Sequence, residues 1–464
     1  MRDTARLSAS VPGEVRELVR GLSEAGHRAW IVGGCVRDEL LAELRGVPTQ
    51  DRNDWDIATS ARPEEVTRLF RRVIPTGIQH GTVTVLMSHA QYEVTTLRGE
   101  TTYTDGRRPD AVYFVDDIKD DLARRDFTIN AIAYDPLADR LIDPFDGVRD
   151  LEQLRLKAVG DPAARFAEDG LRVLRAARFV ATLEVELDEA TERAIQPSLA
   201  SYRKVSAERI RDEWLKTMKA RAPSRAFRVM ERDGLLAITA PELIESVGCG
   251  QNRHHAYDVW NHSLACLDAC PPSAVLRVAG LLHDVGKPRS RAFSEDNQDY
   301  TFYDHDRIGA EMTDPLLTRL RFSNDERARI VALVRHHILC YDETWSDKAV
   351  RRWLKRVGPE TVADLYALGR ADALAKGRDA TVDLGNITSL EEHAARVVAA
   401  GAVFGLRDLA IDGGALMTEL GVGPGRHIGE VLRALLDEVI ENPARNERSA
   451  LLDRAKILLS ERKF

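Results

Sequence analysis

The chain has 464 residues, 44% hydrophobic and 30% charged, with a formal net charge of −8; that length exceeds what one core ordinarily fills, so several domains are expected. That composition is ordinary for a soluble globular protein. No apolar run approaches the roughly 18–20 residues of a membrane span, and M-R-D-T-A-R-L at the start lacks a signal-peptide core, so a cytoplasmic protein with no membrane partner is expected.

The first informative element is the apolar run Ala29–Val32, read as a strand, which leads into Gly33 and Gly34. Two glycines let a backbone turn approach a triphosphate without Cβ clashes, and a helix opening at Cys35 would offer free N–H groups, with Arg37 one turn in. Next comes D-W-D-I-A-T. In a strand Asp54 and Asp56 project to one face while Trp55 and Ile57 pack behind. Paired carboxylate oxygens suit Mg²⁺, which in two-metal chemistry activates a hydroxyl and stabilises a leaving pyrophosphate. Either half alone is more often a plain turn or a solvated strand end. Together and in this order, they resemble the nucleotidyltransferase signature of the DNA polymerase β superfamily. A third carboxylate usually lies on a neighbouring strand there, and Glu93 in Q-Y-E-V-T-T is the nearest candidate.

Further strand-like runs at Gly81–Met87, Tyr92–Leu97 and Ala111–Val115 complete a small α/β head over residues 1–155. Between them T-T-Y-T-D-G-R-R-P-D, Thr101 to Asp110, reads as a mobile loop. Beyond Leu156 the pattern is helical throughout, as at Leu171, Val173, Leu174, Ala177 and Phe179, and later at Leu281, Leu282, Ile330, Leu333 and Val334. An α+β fold follows: the head, then an all-α neck (156–240), body (241–400) and tail (401–464). The cysteines, Cys35, Cys249, Cys266, Cys270 and Cys340, have no C-x-x-C spacing, which argues for buried thiols over disulfides or structural zinc.

The net acidity hides local basic stripes. Ser201 to Met230 carries nine Arg/Lys against three Asp/Glu, and Pro443 to Phe464 six against three; such stripes either hold phosphates or are the wet faces of helices. In E-D-G-L-R-V-L-R-A-A-R, from Glu168, the residues Asp169, Arg172 and Arg175 are spaced by three and share a helix face, with Arg178 close by. Asp accepts and Arg donates in fixed geometry, so this face can pair with the polar edge of a nucleobase without a nucleic-acid template. Taken alone, it is as readily a surface helix laced with Asp/Arg pairs.

G-G-C-V-R-D, D-W-D-I-A-T, R-R-D-F-T-I-N-A, D-P-F-D-G-V-R-D-L, E-D-G-L-R-V-L-R-A-A-R and V-S-A-E-R-I, in this order, closely resemble the class II tRNA nucleotidyltransferase and bacterial poly(A) polymerase family to about residue 240. The resemblance implies that Asp54 and Asp56 are the catalytic residues and bind Mg²⁺, and that Gly33, Gly34 and Arg37 hold the triphosphate. It implies that Arg125 and Asp126 contact the incoming nucleotide, Asp126 near the ribose hydroxyl, and that Asp143 to Asp150 is the head–neck hinge. Asp169 with Arg172, supported by Arg175 and Arg178, would choose C or A. The spacer Arg45 to Asn53 is longer than usual for the family, which implies an altered loop.

A second constellation lies downstream. His262, His283, Asp284 and Asp372 follow the H…HD…D order of an HD phosphohydrolase domain, which this stretch resembles. Imidazole plus carboxylate suits a transition metal or Mg²⁺, and His305, His336 and His337 are further ligand candidates. The resemblance implies a second divalent metal and hydrolysis of phosphomonoesters or 2′,3′-cyclic phosphates, against the alternative of a retained scaffold with a dead site. L-A-I-D-G-G-A-L-M-T-E-L-G-V-G-P-G-R-H-I-G, from Leu409, resembles the C-terminal segment of long bacterial CCA-adding enzymes. Gly421, Gly423 and Gly425 around Pro424 form a tight turn whose amides either meet an RNA phosphate or merely join two helices.

The implied activity is template-independent addition of C, C and A to tRNA 3′ ends from CTP and ATP, with tRNA as partner and Mg²⁺ as cofactor. An A-adding enzyme or a poly(A) polymerase is the alternative within the class, and the loop at Thr101–Asp110 implies more than CC addition. The alternative of another class is an HD phosphohydrolase with an RNA-binding head. The sequence leaves the oligomeric state, monomer or dimer, open.

Overall fold

The protein is described here by a computed structural model covering residues 4–48, 54–78, 81–88, 90–100, 112–401 and 403–461. The loop expected at Thr101–Asp110 lies outside these residues, as does the spacer from residue 49 to 53. The chain divides into two compact units, Met1–Thr239 and Ala240–Phe464. Among the described residues no helix is long and apolar enough to cross a membrane.

Unit one is an α+β assembly. Its strands are β1 (Ala29–Val32), β2 (Asp56–Thr59), β3 (Val73–Gly77), β4 (Thr82–Leu86), β5 (Gln91–Thr96), β6 (Arg98–Glu100), β7 (Val112–Phe114), β8 (Ala133–Asp135) and β9 (Arg140–Ile142). Seven of them form one sheet in the order β3-β4-β5-β2-β1-β8-β9, while β6 and β7 make a separate ribbon. Strand β1 is buried along its length, as a central strand should be. In β5 the residues alternate instead, Tyr92 and Val94 inward and Gln91 and Glu93 outward. The parallel pair β2–β5 matches Ile57 with Val94. One step earlier in that register stand Asp56 and Glu93. Trp30, Val32, Ala58, Leu97, Leu122 and Val159 close a core against the sheet.

The expected strands appear with ends shifted by at most two residues, whereas β3, β6, β8 and β9 were not foreseen. The strand carrying the paired aspartates begins at Asp56, so Asp54 precedes it, yet Trp55 and Ile57 are buried behind the pair as expected. Past residue 156 the chain is helical except for two short pairings. Arg155–Leu156 pairs with Glu186–Leu187, and Ala292–Ser294 with Asp299–Thr301. Helix Leu171–Thr182 buries the apolar positions read from its spacing and packs against helices Ala207–Thr217 and Ser224–Arg232. Asp169, however, is extended and outside that helix, because helix Pro162–Glu168 ends there. Gly170 makes the break possible, since a Cβ on it would lie 2.4 Å from the Ser201 backbone.

In unit two, helices Val259–Ala269, Ala274–Leu282, His305–Arg319, Asn324–His336 and Val362–Ala375 pack together. Farther on, Leu416, Ile428, Leu435, Val439 and Leu451 form a separate cluster. Its helices Gly413–Leu420 and Arg426–Glu441 are joined by the Gly421–Gly425 turn, where Gly421 has φ 66°. All five cysteines are free thiols; Cys35, Cys266 and Cys270 are buried, but Cys249 is half-buried and Cys340 exposed. Cys340 follows the helix ending at His336 in irregular chain that offers no core to enter.

One packing contact ties the R-R-D-F-T-I-N-A segment to the short helix Gly147–Glu152. A Cβ on Gly147 would meet the Thr128 carbonyl oxygen at 2.2 Å, and the buried Asp150 accepts from Thr128 Oγ1 at 2.7 Å and from Arg155 Nε at 2.8 Å. Gly147→Ala is therefore expected to destabilise unit one by roughly 1–3 kcal/mol, the usual range for overpacking. Urea unfolding followed by tryptophan fluorescence checks it.

Candidate active site

Local geometry begins at the glycine turn. Gly33 caps helix Gly34–Arg45 with φ 84° and ψ −135°, a conformation that side-chain-bearing residues avoid. A Cβ there would also lie 2.7 Å from Arg125 Nη1. The turn thus brings strand, helix and Arg125 together, with Asp56 beside them. Burial pushes the Asp56 carboxyl up to about 6; Asp54 and Glu93 add to the rise and Arg125 opposes it. Three carboxylates therefore act on one spot at the start of the interior strand β2. Asp54 itself is exposed.

A cleft of about 490 Å³ opens from Asp56 toward helix Leu171–Thr182, and every residue lining it belongs to unit one. Gly33, Gly34, Arg37, Arg125, Asp126, Asp169, Arg172, Arg175 and Arg178 all line it with Asp56, whereas Asp54 and Glu93 do not. Seven arginines stand against three aspartates on its walls, and that excess of positive charge suits a polyanion.

The buried Asp126 carboxylate organises the arrangement. Its Oδ1 accepts from Asn130 Nδ2 and from the Phe127 N–H, both at 2.9 Å, and its Oδ2 from Arg175 Nε at 2.8 Å. Burial alone would raise this acid, but Arg175, Asn130 and Arg172 outweigh it and hold the group far below the usual carboxylate range. Asn130 Oδ1 in turn accepts from Arg37 Nη1 at 2.6 Å. One amide thereby links the glycine-turn helix to Asp126.

Asp169 pairs with Arg209, whose Nη1 and Nη2 reach its two oxygens at 3.1 and 2.6 Å. Arg172 donates to Glu168 Oε2 at 2.5 Å and to the carbonyls of Arg165 and Arg124, both at 3.0 Å. The guanidiniums of Arg37, Arg175 and Arg178 stand 5.1, 5.4 and 4.0 Å from the centre of the Phe179 ring, within cation–π range. Asn130, Arg209, Phe179 and Glu168 were not assigned roles from sequence. Asn130 and Glu168 sit inside the quoted motifs, and Arg209 inside V-S-A-E-R-I, but only the fold shows that their side chains converge. Of the basic stripe, Arg209 enters the cleft while Arg221 and Arg225 pair with Glu184 and Glu186.

Unit two holds the second constellation. His262 and His283 are fully buried and face one another, Nε2 to Nε2, at 3.1 Å. Asp284 Oδ2 lies 3.3 and 3.1 Å from these nitrogens, and Asp372 Oδ1 2.9 and 3.6 Å. Burial opposes charge on His283, but Asp284 and Asp372 outweigh it and hold the ring up to about 10. His305 and His337 join this group; His336 does not, its ring lining another groove with Arg307 and Glu311. The helix ending at His336 turns consecutive side chains about 100° apart, so His336 and His337 face different ways.

Clustered carboxylates at the start of an interior strand, a glycine turn and an arginine-lined cleft under a helix define the chain as a polymerase-type head on helical domains. The family models agree: residues 29–157 match the poly A polymerase head domain, 184–246 the RNA- and SrmB-binding site of polymerase A, and 306–455 the tRNA nucleotidyltransferase domain 2. A CCA-adding enzyme of Lactiplantibacillus plantarum is 34% identical over 446 residues, 96% of this chain and 95% of that one. The chain belongs to the CCA-adding enzyme family. A relative from Lactobacillus johnsonii is 46% identical over 218 residues, so the chain spans about half (53%) of the length of that curated protein. The crystal structure of the Bacillus stearothermophilus CCA-adding enzyme in complex with CTP superposes with a TM-score of 0.70 at 26% identity, over 97% of this chain and 98% of that one.

The Gly33 geometry makes a direct prediction. Gly33→Ala combines a disfavoured backbone conformation, worth about 1–2 kcal/mol, with displacement of Arg125. A lowered Tm together with weaker binding of a fluorescent nucleoside triphosphate is expected. Unchanged values for both would mean that the turn relaxes freely.

Proposed function

We propose that this protein adds C, C and A to the 3′ end of tRNA, without a nucleic-acid template, from CTP and ATP. The observation that carries this reading is one cleft lined by Asp56, by seven arginines and by the Asp169–Arg172 segment. The 3′-hydroxyl of tRNA gives up its proton to solvent as its oxygen bonds to the α-phosphorus, the α–β bridging P–O bond breaks, and pyrophosphate leaves with the electron pair. Arg37 and Arg125, beside the Gly33–Gly34 turn, hold the triphosphate. Asp126 lies near the ribose, and Asp169 with Arg172 reads the edge of the base, supported by Arg175 and Arg178.

Asp54 and Asp56 are the metal ligands, with Glu93 as the third carboxylate. The site suits a hard cation, because its donors are oxygens whose mutual repulsion contributes to holding Asp56 up to about 6. Bound there, Mg²⁺ supplies neutralisation of charge on the triphosphate and the departing pyrophosphate. The chain divides functionally into a head (1–155), a neck (156–240) with a hinge at Asp143–Asp150, a body (241–400) and a tail (401–464) that contacts tRNA through the Gly421–Gly425 turn. The cytoplasm, where tRNA is processed, is the compartment in which this activity belongs.

A second reading concerns unit two alone. His262, His283, Asp284 and Asp372 bind a divalent metal and hydrolyse a phosphomonoester or a 2′,3′-cyclic phosphate. Its support is the buried Nε2-to-Nε2 approach of two histidines beside two carboxylates.

Incubation of the pure protein with tRNA lacking its end, and with tRNA ending in CC, under each single nucleotide, separates CCA addition from A-only and poly(A) activities. Asp54→Ala and Asp56→Ala are each expected to cut addition at least ~10³-fold while tRNA affinity in a filter-binding assay stays within a factor of about three, because arginine and lysine side chains rather than these carboxylates hold RNA. Comparable turnover in either variant removes the assignment. Asp169→Ala and Arg172→Ala should erode choice among nucleotides by roughly 10²–10⁴-fold, since a polar site rejects wrong partners through unpaired groups. Competition between CTP, ATP, UTP and GTP measures that loss.

A further inference from the structure

Three arginines and one aromatic ring meet at the wall of the unit-one cleft. Arg175, Arg178 and Phe179 lie on one helix, Leu171–Thr182, where the spacing from 175 to 179 puts Arg175 and the ring on one face. Arg37 comes from another helix, Gly34–Arg45. The guanidinium carbons of Arg37, Arg175 and Arg178 stand 5.1, 5.4 and 4.0 Å from the ring centre, and all four residues line the cleft. A third element fixes the ring. Phe127, next to Asp126, packs against it edge to face, with ring centres 5.7 Å apart and planes at 87°, and both rings are buried.

Like charges gathered around one spot repel, and the low dielectric of a partly buried wall strengthens the repulsion. Carboxylates answer part of it. Asp38 meets Arg37 at 2.7 Å, Asp126 meets Arg175 at 2.6 Å, and Glu213 meets Arg178 at 2.6 Å. Each such oxygen occupies guanidinium donors and brings negative charge to a wall that has to attract an anion. The face of a phenyl ring does neither, because its quadrupole attracts a cation while leaving the N–H donors for other partners. An aliphatic side chain of similar size would fill the same space without that attraction.

We propose that Phe179 is a positioning residue for nucleotide addition: its π face gathers Arg37, Arg175 and Arg178 into one anion-binding wall that stands ready before the nucleotide arrives, and so sets the affinity for the triphosphate. The inference rests on the assignment of this cleft to a nucleoside triphosphate and adds the group that organises its cations. Phe179 acts through the three arginines, not on the reacting atoms. Long arginine side chains lose rotamer freedom when they bind phosphate, and a wall ordered in advance has already met that cost.

A graded series separates this role from packing, since fluorine drains the π cloud of a phenyl ring stepwise and changes its shape little. The full-length chain is prepared with 4-fluoro-, 3,5-difluoro- and 3,4,5-trifluorophenylalanine in place of Phe179, each checked for an unchanged circular dichroism spectrum. The dissociation constants of CTP with Mg²⁺, and of inorganic tripolyphosphate, are measured by calorimetry. Both are expected to rise with each added fluorine, by about 10-fold across the series, and Phe179→Leu should weaken binding at least as much as the trifluoro ring. A trend for CTP alone would place the effect of the ring on the base and overturn its role toward the triphosphate. A flat series in a chain that binds CTP, even with weakened binding in Phe179→Leu, reduces Phe179 to packing and overturns the inference while the reading of the cleft stands. A parent chain that binds no CTP overturns both.

Discussion

The ion pair between Asp126 and Arg175 is the interaction on which the cleft depends. A carboxylate this deeply buried is tolerated only when its charge and lone pairs are answered, and here a guanidinium, an amide and a backbone N–H answer them. Because Arg175 comes from helix Leu171–Thr182 and Asp126 from the R-R-D-F-T-I-N-A segment, the pair fixes that helix to that segment. Removing one partner would leave an uncompensated buried charge, a change that costs about 3–5 kcal/mol in comparable sites. The positions of Arg172 and Arg178 on the same helix follow from this bond, and Asn130 passes the constraint on to Arg37.

That scaffold holds together a field that would otherwise push itself apart. Guanidinium groups crowd the cleft walls; burial lowers Arg178 against the pull of Glu213, and Arg175 and Arg37 add to the lowering. The Phe179 ring offers its face to three of these cations at no cost in negative charge. Carboxylates collect instead at the other end, around Asp56. A nucleoside triphosphate with a divalent cation has the complementary distribution, anionic along its length and cationic where the metal sits.

The two units offer unlike chemistry to metal ions. The head presents carboxylate oxygens at the start of an interior strand, a donor set suited to a hard cation. Unit two presents imidazole nitrogens from four buried or nearly buried rings, oriented by carbonyls behind them. Rings positioned in advance bind softer ions and hold them longer.

The sequence by itself determined the α+β class, the glycine turn with its paired aspartates, the helix that carries Arg172, Arg175 and Arg178, and the H…HD…D order. These features are local: apolar periodicity, glycine tolerance of positive φ and carboxylate spacing act within a few residues. Tertiary structure decided the rest. Asp169 left its helix because Gly170 packs on the backbone at Ser201, and it then paired with Arg209, forty residues away. Asn130 gained meaning only between Arg37 and Asp126. His305 and His337 joined Asp284 while His336 turned away, because one residue along a helix rotates a side chain by about 100°. No short-range pattern encodes such meetings, since they depend on which distant elements share a core.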